Sequence, residues 1–165
     1  MTRIFLLAVL ISAPALAADP PMPNVAYPSG PVQSNMAAAF GAGRQAQAIR
    51  SQNGHFYFKA SANGATIPMM VDTGATGILL TYEDAEKVGL NPVTLTFNQA
   101  SSTANGIAYS ARAQLRSLAI GGISKPDMVV RVAKAGVLNV SLLGQSFLSQ
   151  VRTVRISGDA LTLID

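Results

Sequence analysis

Past residue 54, apolar residues recur at every second position in short runs, and Gly, Asn and Pro punctuate them. Residues 55–60 carry strand-forming side chains, Asn63-Gly64 is a tight hairpin turn, and residues 66–71 return as an apolar strand that ends at Asp72. A second apolar run, 77–80, leads away from that turn. Residues 81–90 change period and carry helix signals. Thr81 stands at the N-cap with Asp84 three residues on, in the manner of a capping box; acidic residues fill the first turns, and Gly89 stops the helix. After Asn91-Pro92, residues 94–97 alternate like a strand. Residues 99–110 are small and polar, with a reversal at Asn105-Gly106, and they read as a hairpin carrying little bulk. A long strand over 109–120, a Gly121-Gly122 turn and a returning strand over 128–132 follow. Leu142-Leu143-Gly144 precedes a short helix over 145–150, and the last segment is a hairpin with Val154 and Ile156 facing Leu161 and Leu163 around a 157–159 turn. The expected class is mainly β, with one or two short helices.

The first 53 residues follow another pattern. Residues 1–17 read as a secretory signal, with Arg3 as the positive region, an apolar stretch over 4–11 and a small-x-small site at Ala15-Leu16-Ala17. That stretch is short for a membrane span, so cleavage after Ala17 and export to the periplasm are expected; an uncleaved membrane anchor is the alternative. Once the signal is cleaved, no stable membrane insertion is expected. Residues 18–53 are rich in Pro, Ala, Gly, Gln and Ser and read as a flexible tether, within which 36–50 could form a short alanine-rich helix. The remaining 54–165 form the expected domain.

Composition narrows the chemistry. The chain has 165 residues, of which 49% are hydrophobic and only 12% charged. Its net charge of +4 comes from singly scattered Lys and Arg, with no run that would make a polyanion stripe, so no nucleic-acid partner is expected. Cysteine is absent and His55 is the single histidine, which excludes thiolate or multi-histidine metal sites and leaves Asp and Glu as the acid/base candidates. No metal and no cofactor are expected.

One carboxylate stands out. Asp72-Thr73-Gly74-Ala75-Thr76 lies between two apolar runs, where an ionised carboxylate needs hydrogen-bond donors. Thr73 and Thr76 offer hydroxyls, and Gly74 lets backbone amides approach. An Asx-turn between two buried strands explains the same residues. The stretch also resembles the active-site loop of the aspartic proteases, Asp-Thr-Gly followed by a small and a hydroxyl residue. Leu142-Leu143-Gly144 resembles that family's second signature, a hydrophobic-hydrophobic-Gly strand threaded beside the catalytic loop. The order of hairpin, Asp-Thr-Gly, short helix, small polar hairpin, Leu-Leu-Gly, helix and terminal hairpin is similar to the exported bacterial retropepsin-like proteases.

That resemblance implies a retropepsin-like closed β-barrel, the acid protease fold. It implies that Asp72 is the catalytic acid/base, that Thr73 braces two active-site loops, that Gly74 donates its amide to the carboxylate and that Thr76 adds a supporting hydroxyl. A flap centred on Ala104, Asn105 and Gly106 would cover substrate, with a plain surface hairpin as the alternative; Leu142, Leu143 and Gly144 would pack behind the site. Retroviral members commonly carry a second acid where Thr76 stands, so their mode of anchoring substrate does not transfer. Hydrolysis by carboxylates takes a pair sharing one proton. Glu83, Asp84 and Glu86 serve the helix, Asp19 lies in the tether, Asp127 follows Pro126 in an expected turn, Asp159 sits in a hairpin and Asp165 ends the sequence. A second Asp72 would come from another copy. The expectation is therefore a homodimeric aspartic endopeptidase acting on a peptide or protein substrate; a non-catalytic peptide-binding module or a monomeric scaffold on the same fold are the alternatives.

Overall fold

The computed structural model describes residues 44–103 and 106–165; the expected signal, most of the tether, and Ala104 and Asn105 lie outside the described residues. Strands β1 (Gln45–Ile49), β2 (Tyr57–Ala62), β3 (Ala65–Val71) and β4 (Ile78–Leu80) lead to helix α1 (Tyr82–Lys87). They are followed by β5 (Gln99–Thr103), β6 (Gly106–Ile120), β7 (Ile123–Ala133), β8 (Ser141–Leu143), helix α2 (Gln145–Leu148), β9 (Thr153–Ser157) and β10 (Ala160–Ile164).

Six strands pair in the order β2-β3-β8-β4-β7-β6, and β6 returns to β2 through Ala60↔Ile120, Ser61↔Ala119 and Ala62↔Leu118. The sheet therefore closes into a barrel, which leaves β5 attached outside along β6. Period-two alternation fills it: Phe58, Ala60 and Ala62 point inward from β2, and meet Ile67, Met69, Ile78, Leu80, Leu118, Ile120, Val130, Val132 and Leu143. Asn63 and Gly64 turn the first hairpin at φ 50° and 91°, as a two-residue connection requires. Asn63 also fastens its surroundings. Its Nδ2 donates to the Val88 carbonyl at 2.9 Å, and its Oδ1 accepts from the Arg116 amide at 2.8 Å.

A second sheet, β1-β10-β9, lies beside the barrel. The expected helix over 36–50 is, in its described part, the strand β1. Ala46 and Ala48 stand opposite the buried Leu163 and Leu161 of β10, and sheet pairing overrides the helix preference of alanine. Among the described residues the second sheet thus includes Gln45–Ile49, which lie inside the stretch expected to be tether. Gly121, at φ 56°, turns β6 into β7 where β1 crosses; a Cβ there would lie 2.9 Å from the Ala46 Cβ.

Three other expectations are corrected. The strand expected over 94–97 is absent: Pro92–Thr94 forms a 3-10 turn in which the Thr94 amide and hydroxyl both donate to the Asn91 carbonyl, and the next strand is β5. Asp127 lies within β7 at φ 51° rather than in a turn. At α1, Thr81 caps the Asp84 amide as expected, but the capping box does not close. The Thr81 amide donates instead to Ser141 Oγ at 3.1 Å, and Ser141 Oγ donates to Asp84 Oδ2 at 2.7 Å. Asp84 is 4% exposed and also accepts from Lys87 at 3.3 Å.

Candidate active site

The Asp72 loop is positioned by β8, which lies between the strand that enters the loop and the strand that leaves it. β8 runs parallel to β3 (Val71↔Leu143) and antiparallel to β4 (Leu79↔Leu142). The Asp72 amide donates to the Leu143 carbonyl at 3.1 Å, so the acid begins its turn against a fully buried residue. Gly144 then passes directly against the loop. A Cβ there would overlap the Gly77 carbonyl oxygen and lie 2.7 Å from that of Ala75. Only a residue without a side chain permits this approach.

The start of α2 fastens the loop from below. The Gln145 amide donates to Ala75 O at 2.9 Å and the Ser146 amide to Thr76 O at 3.1 Å. Gln145 Nε2 donates to Thr73 O at 2.9 Å, and Ser146 Oγ accepts from the Ile78 amide at 3.2 Å. With its carbonyls held from α2, the loop directs its amides to the acid. Gly74 N donates to Asp72 Oδ1 at 2.9 Å and Ala75 N at 3.2 Å. Two backbone donors on one oxygen fix the orientation of the carboxyl group. The second oxygen, Oδ2, takes no hydrogen bond from the described residues, and Asp72 lines a cleft of about 460 Å³.

One side of that cleft is the β5–β6 hairpin, which contributes Ser101, Ser102, Ala108, Tyr109 and Ser110; Arg131, Ala133 and Val137 close another wall. Gly106, at φ 107° and exposed, is the described part of the expected flap centre. Leu142, Leu143 and Gly144 lie behind the Asp72 loop. The expected hydroxyls do not serve the carboxylate: Thr73 and Thr76 are exposed, neither bonds Asp72, and the Ala75 amide takes the place assigned to them. Sequence reasoning also passed over Gln145, Ser146 and Arg131. The first two directly follow Leu-Leu-Gly, which is a usable signal; Arg131 looks like any cation on an alternating strand.

No second carboxylate reaches the cleft among the described residues. Asp84 is engaged by Ser141 and Lys87, Asp159 by Arg50 and Asp165 by Lys125. Asp165 is held below the usual carboxylate range, chiefly by the hydrogen bond from Lys125, with the charges of Lys125, Arg44 and Arg152 adding to it. His55 is exposed.

Residues 58–150 match the family model described as "gag-polyprotein putative aspartyl protease". The chain belongs to the retropepsin-like aspartyl protease family. A crystal structure of a retropepsin-like aspartic protease from Rickettsia conorii is similar to it at TM-score 0.67 and 38% identity, over 73% of this chain and 89% of that one. The EIAV protease in complex with the inhibitor HBY-793 shares the fold, at TM-score 0.50 and 15% identity over 60% of this chain and 89% of that one. An uncharacterized protein in the cobV 5' region of a Sinorhizobium species is 47% identical over 113 residues, 68% of this chain and 48% of the relative. An uncharacterized protein of Rickettsia prowazekii (strain Madrid E) is 41% identical over 114 residues, 69% of this chain and 48% of the relative. The matched region of this retropepsin-like chain thus spans about half the length of its curated relatives.

Proposed function

We propose that this protein is an exported aspartic endopeptidase whose working unit is a homodimer sharing two copies of Asp72. The observation that carries the proposal is the setting of that carboxylate: Oδ1 is held by two amides, Oδ2 takes no hydrogen bond from the described residues, and Asp72 lines a cleft with no other acid among its described lining residues. A single fixed carboxylate cannot both activate water and protonate the carbonyl oxygen. Two of them sharing one proton can, since like charges a few ångströms apart do not both ionise. In the ground state one Asp72 is ionised and its partner is protonated. The ionised acid takes a proton from the attacking water and the protonated acid gives its own to the carbonyl oxygen. As the tetrahedral intermediate collapses, the acid that took the water's proton passes it to the leaving nitrogen and the other takes back a hydroxyl proton, which releases the amine and restores the pair.

A two-fold axis at the Asp72 loops supplies the second acid from the same gene. Thr73 and Thr76 are exposed, and under this reading their side chains stand where a facing loop would meet them. The β9 edge supports assembly. Val154 and Ile156 lie on the same sheet face as buried Leu163 and Leu161, yet are 38% and 53% exposed, so the apolar face continues past the single chain. Cleavage after Ala17 and a periplasmic location complete the proposal, resting on the signal-like pattern of residues 1–17. No helix among the described residues is long and apolar enough to cross a membrane. The test is digestion of a mixed peptide pool by wild type and Asp72→Asn. Cleavage by the first alone supports the reading; cleavage by both overturns it, and binding of peptides with no turnover by either points to the binding module.

A further inference from the structure

We propose that Arg131 makes this site selective for substrates carrying a carboxylate close to the scissile bond. The inference rests on the peptidase reading and names the substrate class of the same cleft. Asp72 and Arg131 are the only charged residues that line it among the described residues. Arg131 lies on β7, directly beside Leu79 of β4, and Leu79 also lines the cleft. It is half-buried, and one of its donors is accounted for: Nη1 bonds Ser101 Oγ of the flap strand at 2.8 Å. The remaining guanidinium donors have no partner among the described residues, and no carboxylate pairs with Arg131.

The register sharpens the point. Arg131 stands directly opposite Arg112 in the β6–β7 ladder, so the two cations project from one face of the sheet. Arg112 has no acidic partner among the described residues either. Like charges facing each other across a ladder are destabilising, and a structural pair would be expected to carry a bridging acid. No acid bridges the two among the described residues; Arg112 is exposed, while Arg131 lines the cleft beside the uncharged Leu79, Tyr109, Ala133 and Val137. A guanidinium that is half out of water and bonded at one corner presents a planar fork suited to a carboxylate. The net charge of +4 favours the approach of acidic peptides in the same sense. The carboxylate could be a Glu or Asp side chain or the free end of a peptide, and these share one chemistry.

The experiment uses the full chain and peptides that differ only by Glu or Gln at one position, moved stepwise along the sequence, each made with a free or an amidated C-terminus. With wild type, kcat/KM is expected to favour Glu over Gln by about tenfold or more at one position, as a charge-assisted pair would give. Arg131→Gln should collapse that ratio towards one, and Arg131→Glu should turn the preference to Lys. Because each ratio compares two substrates on one enzyme, loss of folded protein cancels. A preference that depends on the free terminus would assign the carboxylate to chain ends; one that survives amidation assigns it to side chains. Binding of the same peptides to Asp72→Asn, followed by fluorescence anisotropy, reads the selectivity without turnover. Failure of wild type to cleave any peptide therefore overturns the peptidase reading while the binding arm still tests Arg131. Equal handling of Glu and Gln, or a preference unchanged in Arg131→Gln, overturns the role of Arg131.

Discussion

Gly144 leaves less room for a side chain than any other described glycine. A methyl group there would meet two backbone carbonyls, which cannot rotate away as a side chain could. Gly144→Ala is expected to destabilise the fold by about 1–3 kcal/mol, the usual range for overpacking, and to displace the loop as it does so. A lowered denaturant midpoint together with a fall in activity of the protein that remains folded would bear this out; wild-type values for both would contradict it. Ser141 acts at a second pivot. Its single hydroxyl accepts from the Thr81 amide and donates to Asp84, both buried, so Ser141→Ala strands two groups at once. A loss of about 1–3 kcal/mol is expected, again read from the denaturant midpoint. Local chemistry made Asp72, Gly74 and Gly144 legible in the sequence, because each is named by a short motif. Ser141 was silent there, since its partners are far along the chain and the antiparallel β4–β8 pairing brings them together.

Among the elements, the β5–β6 hairpin carries the expected motion. Apart from Tyr109 its cleft-lining residues are small, and among the described residues β5 pairs only with β6, outside the closed barrel. Amide exchange across β5 and the start of β6 is expected to be fast in the free protein and slower with a peptidomimetic bound. Unchanged protection would leave an ordinary hairpin. The second sheet is pinned to the barrel differently, by Asp165, which follows β10 and accepts from Lys125 of β7 at 2.9 Å. Its folded pKa lies below the ordinary value of 3.8, so folding favours the ionised form. The resulting stabilisation is fully present above that value and is lost as pH falls through the depressed one. Lys125→Met should therefore flatten the acid limb of the stability curve, as measured by denaturation at stepped pH, and an unaltered limb would contradict the link. Alternation, Asn63-Gly64 and the terminal turn revealed most of these elements. The strand β1 was hidden because its alanines favour a helix in isolation and its partner, β10, lies at the far end of the chain. Arg131 was hidden for a related reason, since only register distinguishes a cation in a cleft from one on a surface.

At the scale of the whole molecule, the cleft presents a single acid among the described residues and the proposed chemistry takes two. Each chain therefore holds half a site, and activity should depend on which chains meet. The most direct measurement titrates wild type, at a fixed concentration high enough to saturate the dimer, with Asp72→Asn under conditions of free subunit exchange. At a ninefold excess of the variant, random pairing leaves about one tenth of the wild-type homodimer, and activity is predicted to fall to about that level. Activity that stays at its starting value through the titration would contradict a shared Asp72 pair and place the whole reaction within one chain.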